Sequence, residues 1–263
     1  MDLGLQNKRV IVTASSKGLG KATALQFAQE GAKVLISSRN AEELKVTMED
    51  IKQHSSNPDI FYTVCDVTKE EDIAQLFKEA ETKLGGVDIL VNNAGGPSPG
   101  GFGQVTDQDW MEAFEKNLLS YIRTIRQAIP FMQAQKFGRI VNISSSSTKE
   151  VLDGLILSNT FRLGMVGLSK SIAREYGKDN ILINTVGPGR IQTDRVTELD
   201  EIAAKKRDIT VEDVREGFKQ IIPMGRYGEP AEFAKVITFL CSEANTYMTG
   251  QSLVIDGGML KAL

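Results

Sequence analysis

RVIVTASSKGLGKATALQFAQEG, residues 9–31, decides how the rest of the chain is read. Its first six residues, RVIVTA (9–14), form a strand: the run is short, and β-branched side chains suit a pleated surface. A glycine-bearing turn follows. An amphipathic stretch, GKATALQFAQEG, then runs to a glycine that stops it. In a strand, glycine turn and helix, backbone can approach a pyrophosphate and the helix N-terminus favours its negative charge. Gly18 and Gly20 alone are a weak signal, because such a turn needs no ligand. Position strengthens it, since the turn ends the first strand and opens the first helix.

The alternation continues outward. KVLISS (33–38), IFYTVC (60–65), VDILVNN (87–93), RIVNIS (139–144), ILINTV (181–186) and SLVIDG (252–257) read as strands. Charged amphipathic stretches such as EEDIAQLFKEAETKLGG lie between most of them. Asn40 begins N-A-E-E, a capped helix start with Glu43 at capping-box spacing. Regular alternation predicts an α/β chain, a parallel sheet of about seven strands with helices on both faces. No repeat or low-complexity linker divides residues 1–263, so one domain is expected. Residues 190–226 hold no strand pattern and are rich in charge. They read as a partly helical lid over the sheet's carboxyl edge, where doubly wound folds bind ligands.

Composition excludes several classes. The net charge is -3, hydrophobic content 41% and charged content 25%, as in ordinary globular proteins. No basic excess suggests nucleic acid, and no apolar run approaches membrane-spanning length. The start MDLGLQNKRV lacks a signal-peptide pattern, so a cytoplasmic protein is expected. Cys65 and Cys241 are too few and too far apart for a disulfide framework or a thiolate metal site, and no metal is expected. His54, the single histidine, lies in polar KQHSSNPD and reads as a solvated loop residue, which argues against a Ser-His-Asp hydrolase.

Further motifs recur in a fixed order. They are Thr13, Ala14, Gly18 and Gly20 in the turn, Asp66 in CDVT, NNAG at 92–95 and Asn117 in EKNLLS. Ser144 and Ser145 in RIVNISS follow, then Pro188 and Gly189 with Thr193, and TGQSLVIDGG near the end. Over essentially its full length the chain resembles the short-chain dehydrogenase/reductase family, and acyl-carrier-protein ketoreductases in particular. The resemblance implies a Rossmann-type doubly wound fold, a nicotinamide cofactor, a small-molecule substrate and a homotetramer joined through the helices around 107–134 and 155–177. The implied cofactor-binding set is Thr13, Ser15, Lys17, Gly18, Leu19, Gly20, Ser38, Arg39, Asp66, Val67, Asn93, Ala94, Gly95, Arg162, Pro188, Gly189, Ile191 and Thr193. Within it Asp66 contacts the adenine, the NNAG backbone lines the adenine ribose, and Thr193 meets the nicotinamide amide. Without a ligand, NNAG is equally a strand-end turn and DGG a chain-terminal one. Ala14 replaces the family's first glycine, which matters if that backbone needs a positive φ.

The end of the second strand reads Ser37-Ser38-Arg39, with no carboxylate before Glu42 to take a ribose 2′-hydroxyl. Arg39 can pair with a 2′-phosphate, and Lys17 adds a second charge. Either base alone is more often a solvated surface residue. Two bases and a missing acid favour NADP(H).

The family's catalytic set is Asn, Ser, Tyr and Lys. Asn117 and Ser145 match, whereas the tyrosine position holds Ser158 and the lysine position Arg162, four apart on one helical face. No tyrosine lies between Tyr121 and Tyr176, so neither a shifted register nor the longer spacing of enoyl reductases restores one. Hydride addition to a ketone builds an alkoxide that needs a nearby proton donor. Ser158 is a poor acid, and Arg162 keeps its proton, although it can bind ribose hydroxyls. Three readings stand. One is an atypical NADP(H)-dependent reductase protonated by water or substrate, with Lys149 either assisting or solvated. Another is conjugate reduction of an activated alkene. The third is a non-catalytic NADP(H)-binding sensor or interaction protein. Asn117, Ser145 and a cation at 162 favour an oxidoreductase. Arg162, Arg190 and Arg195 together would suit a carboxylate- or phosphate-bearing substrate. Pairing of the last two with Asp194, Glu198 or a neighbouring subunit is the commoner outcome.

Overall fold

Along β1 (Arg9–Val12), Val10 and Val12 enter one apolar core and Ile11 another, the alternation of a strand buried on both faces. The computed structural model describes residues 2–262. After β1 come α1 (Gly18–Gln29), β2 (Lys33–Ser38), α2 (Ala41–Ser55), β3 (Ile60–Val64), α3 (Glu70–Leu84) and β4 (Ile89–Asn92). The chain continues through α4 (Asp107–Phe114), α5 (Ser120–Gln135), β5 (Gly138–Ile143), α6 (Ile156–Tyr176) and β6 (Ile181–Pro188). It ends with α7 (Asp194–Arg207), α8 (Val211–Ile221), α9 (Pro230–Leu240) and β7 (Ser252–Ile255). Among the described residues the strands form one seven-stranded sheet, β3-β2-β1-β4-β5-β6-β7, parallel throughout. Phe27 of α1, Leu44 of α2 and Phe233 of α9 cover one face. Phe77 of α3, Ile125 of α5 and Ile172 of α6 cover the other.

All the expected strands are present; β1, β3, β4 and β7 are shorter than expected, β1 and β4 for visible local reasons. Thr13 and Ala14 leave the sheet to begin the glycine turn. Before β4, Asp88 takes hydrogen bonds from the Arg9 backbone (2.8 Å) and from its Nε (2.8 Å). Asn40 caps α2 by accepting from the amides of Glu42 (3.0 Å) and Glu43 (3.2 Å). The expected capping box does not close, because the Glu43 carboxylate accepts instead from Ser16 Oγ at 3.0 Å, bracing the glycine turn.

The order reverses on either side of β1, and the crevice above β1 and β4 is where such sheets take ligands. Residues 190–226 fold as α7 and α8 above that edge. Gln192 and Gly228 close the base of the excursion, the Gln192 amide donating to the Gly228 carbonyl (2.8 Å) and the Gly228 amide to the Arg190 carbonyl (2.9 Å). Inside it, fully buried Asp200 takes Arg190 Nη1 at 2.6 Å and the Tyr227 hydroxyl at 3.1 Å. The Arg190 guanidinium stacks 3.5 Å over the Phe218 ring.

A buried polar row crosses the sheet beneath the crevice. Asn92, Asn142 and Thr185 are register partners on β4, β5 and β6. Thr124 of α5 donates to Asn92 Oδ1 (2.7 Å), and Asn92 Nδ2 donates to Asn142 Oδ1 (2.9 Å). Asn142 Nδ2 donates to Ser169 Oγ of α6 (3.1 Å), which lies 2.9 Å from Thr185 Oγ1. Truncating the central member leaves buried partners unpaired, each costing about 1–3 kcal/mol. Asn142→Ala should therefore lower the free energy of urea unfolding by about 3 kcal/mol, and a loss under about 1 kcal/mol would show the row to be dispensable.

Candidate active site

The glycine turn is tied from behind by side chains, which leaves its backbone facing the crevice. Thr13 Oγ1 donates to the Asn93 carbonyl (2.8 Å) and accepts from the Asn93 amide (2.8 Å). Asn93 Nδ2 donates to the Ala14 carbonyl (3.0 Å). Ser15 Oγ donates to the Val12 carbonyl (2.7 Å) and accepts from the Ser37 amide (3.0 Å). A Cβ on Gly20 would lie 2.6 Å from the Ala14 oxygen, so no other residue fits this turn unchanged. Gly18 has φ +59°. Leu19 packs on the core beside α1.

On the expected adenine side, Asp66 follows β3 and accepts from the Thr68 amide (3.1 Å) and hydroxyl (2.8 Å). Burial raises the Asp66 pKa, but Thr68 and the Arg39 charge bring it below the usual carboxylate range. Val67 packs against the core shared by α3 and α5. Ser38 ends β2 and accepts from the Asn40 amide (3.4 Å). Arg39 is exposed beyond it. Lys17 Nζ stands 3.6 Å from Asp194 Oδ2, across the crevice on the first residue of α7.

The opposite end is built from β4, β5 and the approach to α7. Ala94 and Gly95 continue from Asn93 past the end of β4. Gly189, after Pro188, approaches β7 so closely that a Cβ there would lie 2.4 Å from Asp256 Cβ. Ile191 is buried and paired with Gly228. Thr193 caps α7, its Cγ2 lying 3.7 Å from the point where a Cβ on Gly18 would stand, so the 190–226 excursion begins beside the glycine turn. Arg195 Nη2 donates to the Pro97 carbonyl (3.0 Å), and Nη1 pairs with Glu198 (2.8 Å).

Asn117 lies in a π turn, Glu115–Leu119, that interrupts the path from α4 to α5. Such turns recur at functional positions. Its Nδ2 donates to the Gly95 carbonyl (2.9 Å), and its buried Oδ1 has no protein partner. Ser145 caps a short 3₁₀ turn, with its Oγ accepting from the Ser147 amide at 3.1 Å. Ser158 is 7% exposed, and its Oγ lies 3.2 Å from Ser147 Oγ. Arg162 is 4% exposed and points inward. Its Nη1 donates to the Ile143 carbonyl (3.0 Å) and the Tyr121 hydroxyl (3.2 Å), while its buried Nε is unpartnered.

The three guanidiniums expected at one mouth are therefore separated. Arg190 is held by Asp200 inside the excursion, Arg195 by Glu198 and Pro97, and Arg162 by Tyr121 and the Ile143 carbonyl at the end of β5. Lys149 is exposed. His54 lies on α2, not in a loop, its Nδ1 donating to the Asp50 carbonyl (2.8 Å). Sequence reading missed Ser147, hidden in a run of four serines, and Tyr121, which reads as one more apolar helix position. It also missed Gly187, where a Cβ would lie 2.3 Å from the Ser145 oxygen.

Ala14 has φ +45°, the left-handed region its methyl disfavours by about 1–2 kcal/mol. Glycine would relieve that but loses about 0.5–1 kcal/mol more entropy on folding. Ala14→Gly should raise the urea-unfolding free energy by about 0.5–1 kcal/mol, whereas a loss would show the turn to be unstrained.

A family profile described as enoyl-(acyl carrier protein) reductase matches residues 13–260. The chain is 34% identical over 265 residues to 3-oxoacyl-(acyl-carrier-protein) reductase FabG of Aquifex aeolicus (strain VF5), covering 98% of this chain and 100% of that one. It is 30% identical over 259 residues to NADPH-dependent reductase BacG of Bacillus subtilis (strain 168), covering 98% and 100%. The crystal structure of L-sorbose reductase from Gluconobacter frateurii, complexed with NADPH and L-sorbose, superposes with a TM-score of 0.94 at 30% identity over the whole of both chains. With this sheet order and these full-length matches, the chain belongs to the short-chain dehydrogenase/reductase family.

Proposed function

We propose that this protein is an NADP(H)-dependent oxidoreductase that reduces a carbonyl or activated alkene of a small substrate, at a site lacking the family's catalytic tyrosine and lysine. The observation that carries this reading is a group of buried polar atoms without protein partners at the ends of β4 and β5: Asn117 Oδ1, Ser144 Oγ and Arg162 Nε. Such atoms are rarely left unpaired, and a ligand or water there would complete them. Arg39 and Lys17 beyond the other end of the crevice, with no acid after β2, fit a 2′-phosphate. The name of BacG and the NADPH complex of the sorbose reductase support the same cofactor. Bound here, reduced nicotinamide would supply a hydride.

The chain's own contribution is orientation and charge. The Ser145 hydroxyl hydrogen is free to donate to an oxyanion, because its oxygen only accepts from Ser147. Arg162 brings a fixed positive charge beneath the same end and cannot act as an acid. Ser158 is engaged with Ser147 and is too weak an acid to replace a phenol. The proton then comes from water or from the substrate, or from solvent after conjugate addition. With Arg190 inside the lid, Arg195 is the guanidinium near the mouth left to meet a carboxylate-bearing substrate. Residues 190–226 act as the lid, and Lys17–Asp194 and Arg195–Pro97 are its contacts with the body.

The protein acts in the cytoplasm as a homotetramer on this reading. Exposed Met111 and Leu163, beside the Trp110–Phe161 aromatic contact, support association through α4 and α6. Ile125 of α5 and Leu157 and Met165 of α6 are buried within the subunit. A non-catalytic NADP(H)-binding role is the second reading. It is favoured by one observation: Ser158 and Arg162 are both occupied by groups of the protein itself.

NADPH oxidation against a panel of ketones and enones separates the two. Turnover is expected, with Ser145→Ala lowering the rate on the best substrate about 100-fold through loss of an oxyanion donor. Ser158→Ala should stay within about tenfold, since no contact worth more than about 1.4 kcal/mol is lost. Tight NADPH binding with no turnover would select the second reading. Thermal stabilisation should be larger with NADPH than with an equal concentration of NADH, and Arg39→Asp should reverse that order. Equal shifts for the parent protein would reject NADP(H) preference.

A further inference from the structure

Lys116 stands in the π turn one residue before Asn117, and its half-buried side chain reaches toward Gly95 past the end of β4. Its Nζ lies 3.3 Å and its Cε 3.6 Å from the point where a Cβ on Gly95 would stand. A side chain at residue 95 would crowd the amine, which would have to shift by a few tenths of an ångström. The adjacent Gly96 is approached by Arg195, with Nε and Nη2 3.6 Å from its Cβ position. Two cations, from α7 and from the π turn, thus sit over two consecutive glycines at the end of β4.

Their situations differ. Arg195 is paired with Glu198 and Pro97. The Lys116 carbonyl accepts from Ser120 Oγ (2.6 Å), but its ammonium makes no hydrogen bond or ion pair among the described residues. Burial lowers its pKa, Arg39, Arg195 and Arg162 lower it further, and Asp66 is the one carboxylate opposing them. A partly desolvated ammonium among three guanidiniums is unfavourable in the free protein, and a multiply charged anion seated against it would remove the imbalance. In the EKNLLS motif quoted above the resemblance gives a role to Asn117 alone, not to Lys116.

We propose that Lys116 is a further cofactor-binding residue, its ammonium donating to a phosphate oxygen of the dinucleotide where the chain passes Gly95. This rests on the dinucleotide-binding reading above. Two phosphates share the required chemistry: the 2′-phosphate on the Arg39 side and the pyrophosphate on the glycine-turn side.

Dissociation constants of the full chain for NADPH and NADH, measured by calorimetry for the parent, Lys116→Gln, Lys116→Arg and Arg39→Gln, test this. Lys116→Gln should weaken NADPH binding about tenfold or more, as for a charge-assisted hydrogen bond, and Lys116→Arg should recover most of it. A loss confined to NADPH assigns the 2′-phosphate, and an equal loss for both dinucleotides assigns the pyrophosphate. Lys116→Met, which keeps the unbranched stem, repeats the measurement if Gln lowers the melting temperature without ligand. Unchanged affinities for both dinucleotides, beside a clear NADPH loss in Arg39→Gln, would overturn the proposal and leave the cofactor assignment intact. Tighter binding in Lys116→Gln would also overturn it, making the side chain an occupant that the dinucleotide displaces. If the parent bound neither dinucleotide, the functional reading itself would fall.

Discussion

The row of buried hydrogen bonds from Thr124 through Asn92, Asn142 and Ser169 to Thr185 is the constraint on which the site depends. Apolar packing holds α5 and α6 against the sheet but is non-directional and tolerates small slides along the helix axes. Hydrogen bonds between fully buried amides and hydroxyls do not, because a displaced member is left unpaired in a low-dielectric interior. Thr124 lies about two turns after Asn117, and Ser169 about two turns after Arg162, so each anchor shares a helical face with a site residue. The register of β4, β5 and β6 therefore sets the axial position of both helices and brings Asn117 and Arg162 to the ends of β4 and β5.

The opposite wall is governed by close approach. Gly20 is pressed against the Ala14 carbonyl, Gly187 against Ser145 and Gly189 against Asp256, so backbone lies where side chains elsewhere would fill the crevice. Ala14 breaks this pattern and holds a left-handed conformation all the same, kept there by Asn93 on its carbonyl and by the flanking bonds of Thr13 and Ser15. The start of α7 lies beside Gly18 through Thr193, so the 190–226 excursion leaves the sheet next to the glycine turn.

Charge is divided between two compartments. Within the helical excursion, Asp200 gathers Arg190, Arg215 and Tyr227, which neutralises positive charge away from the crevice. Around Lys116, by contrast, the charges of Arg39, Arg195 and Arg162 all disfavour its ammonium, and Asp66 is the one carboxylate opposing them. An electropositive trough with low-dielectric walls favours a polyanionic ligand before any specific contact forms. The tyrosine and lysine positions contribute little to its open surface, since Ser158 and Arg162 are both buried.

Much of this was legible along the chain. Seven short β-branched runs separated by amphipathic stretches marked the parallel sheet, because strands buried on both faces read as near-continuous apolar runs. The glycine turn, the Asn40 cap and the helical excursion at 190–226 were readable for equally local reasons. The destinations of long polar side chains were not. Arg162 turns to Tyr121 and Ile143, Arg190 to Asp200 and Glu43 to Ser16, each choosing among partners that only the packed fold brings within reach. Asn92 and Asn142 look like motif residues in the sequence yet bond to each other across two strands. Backbone preference and hydrophobic period act between near neighbours and so can be read from order alone. Charge and hydrogen-bond pairing act through space, and the assembled fold decided them.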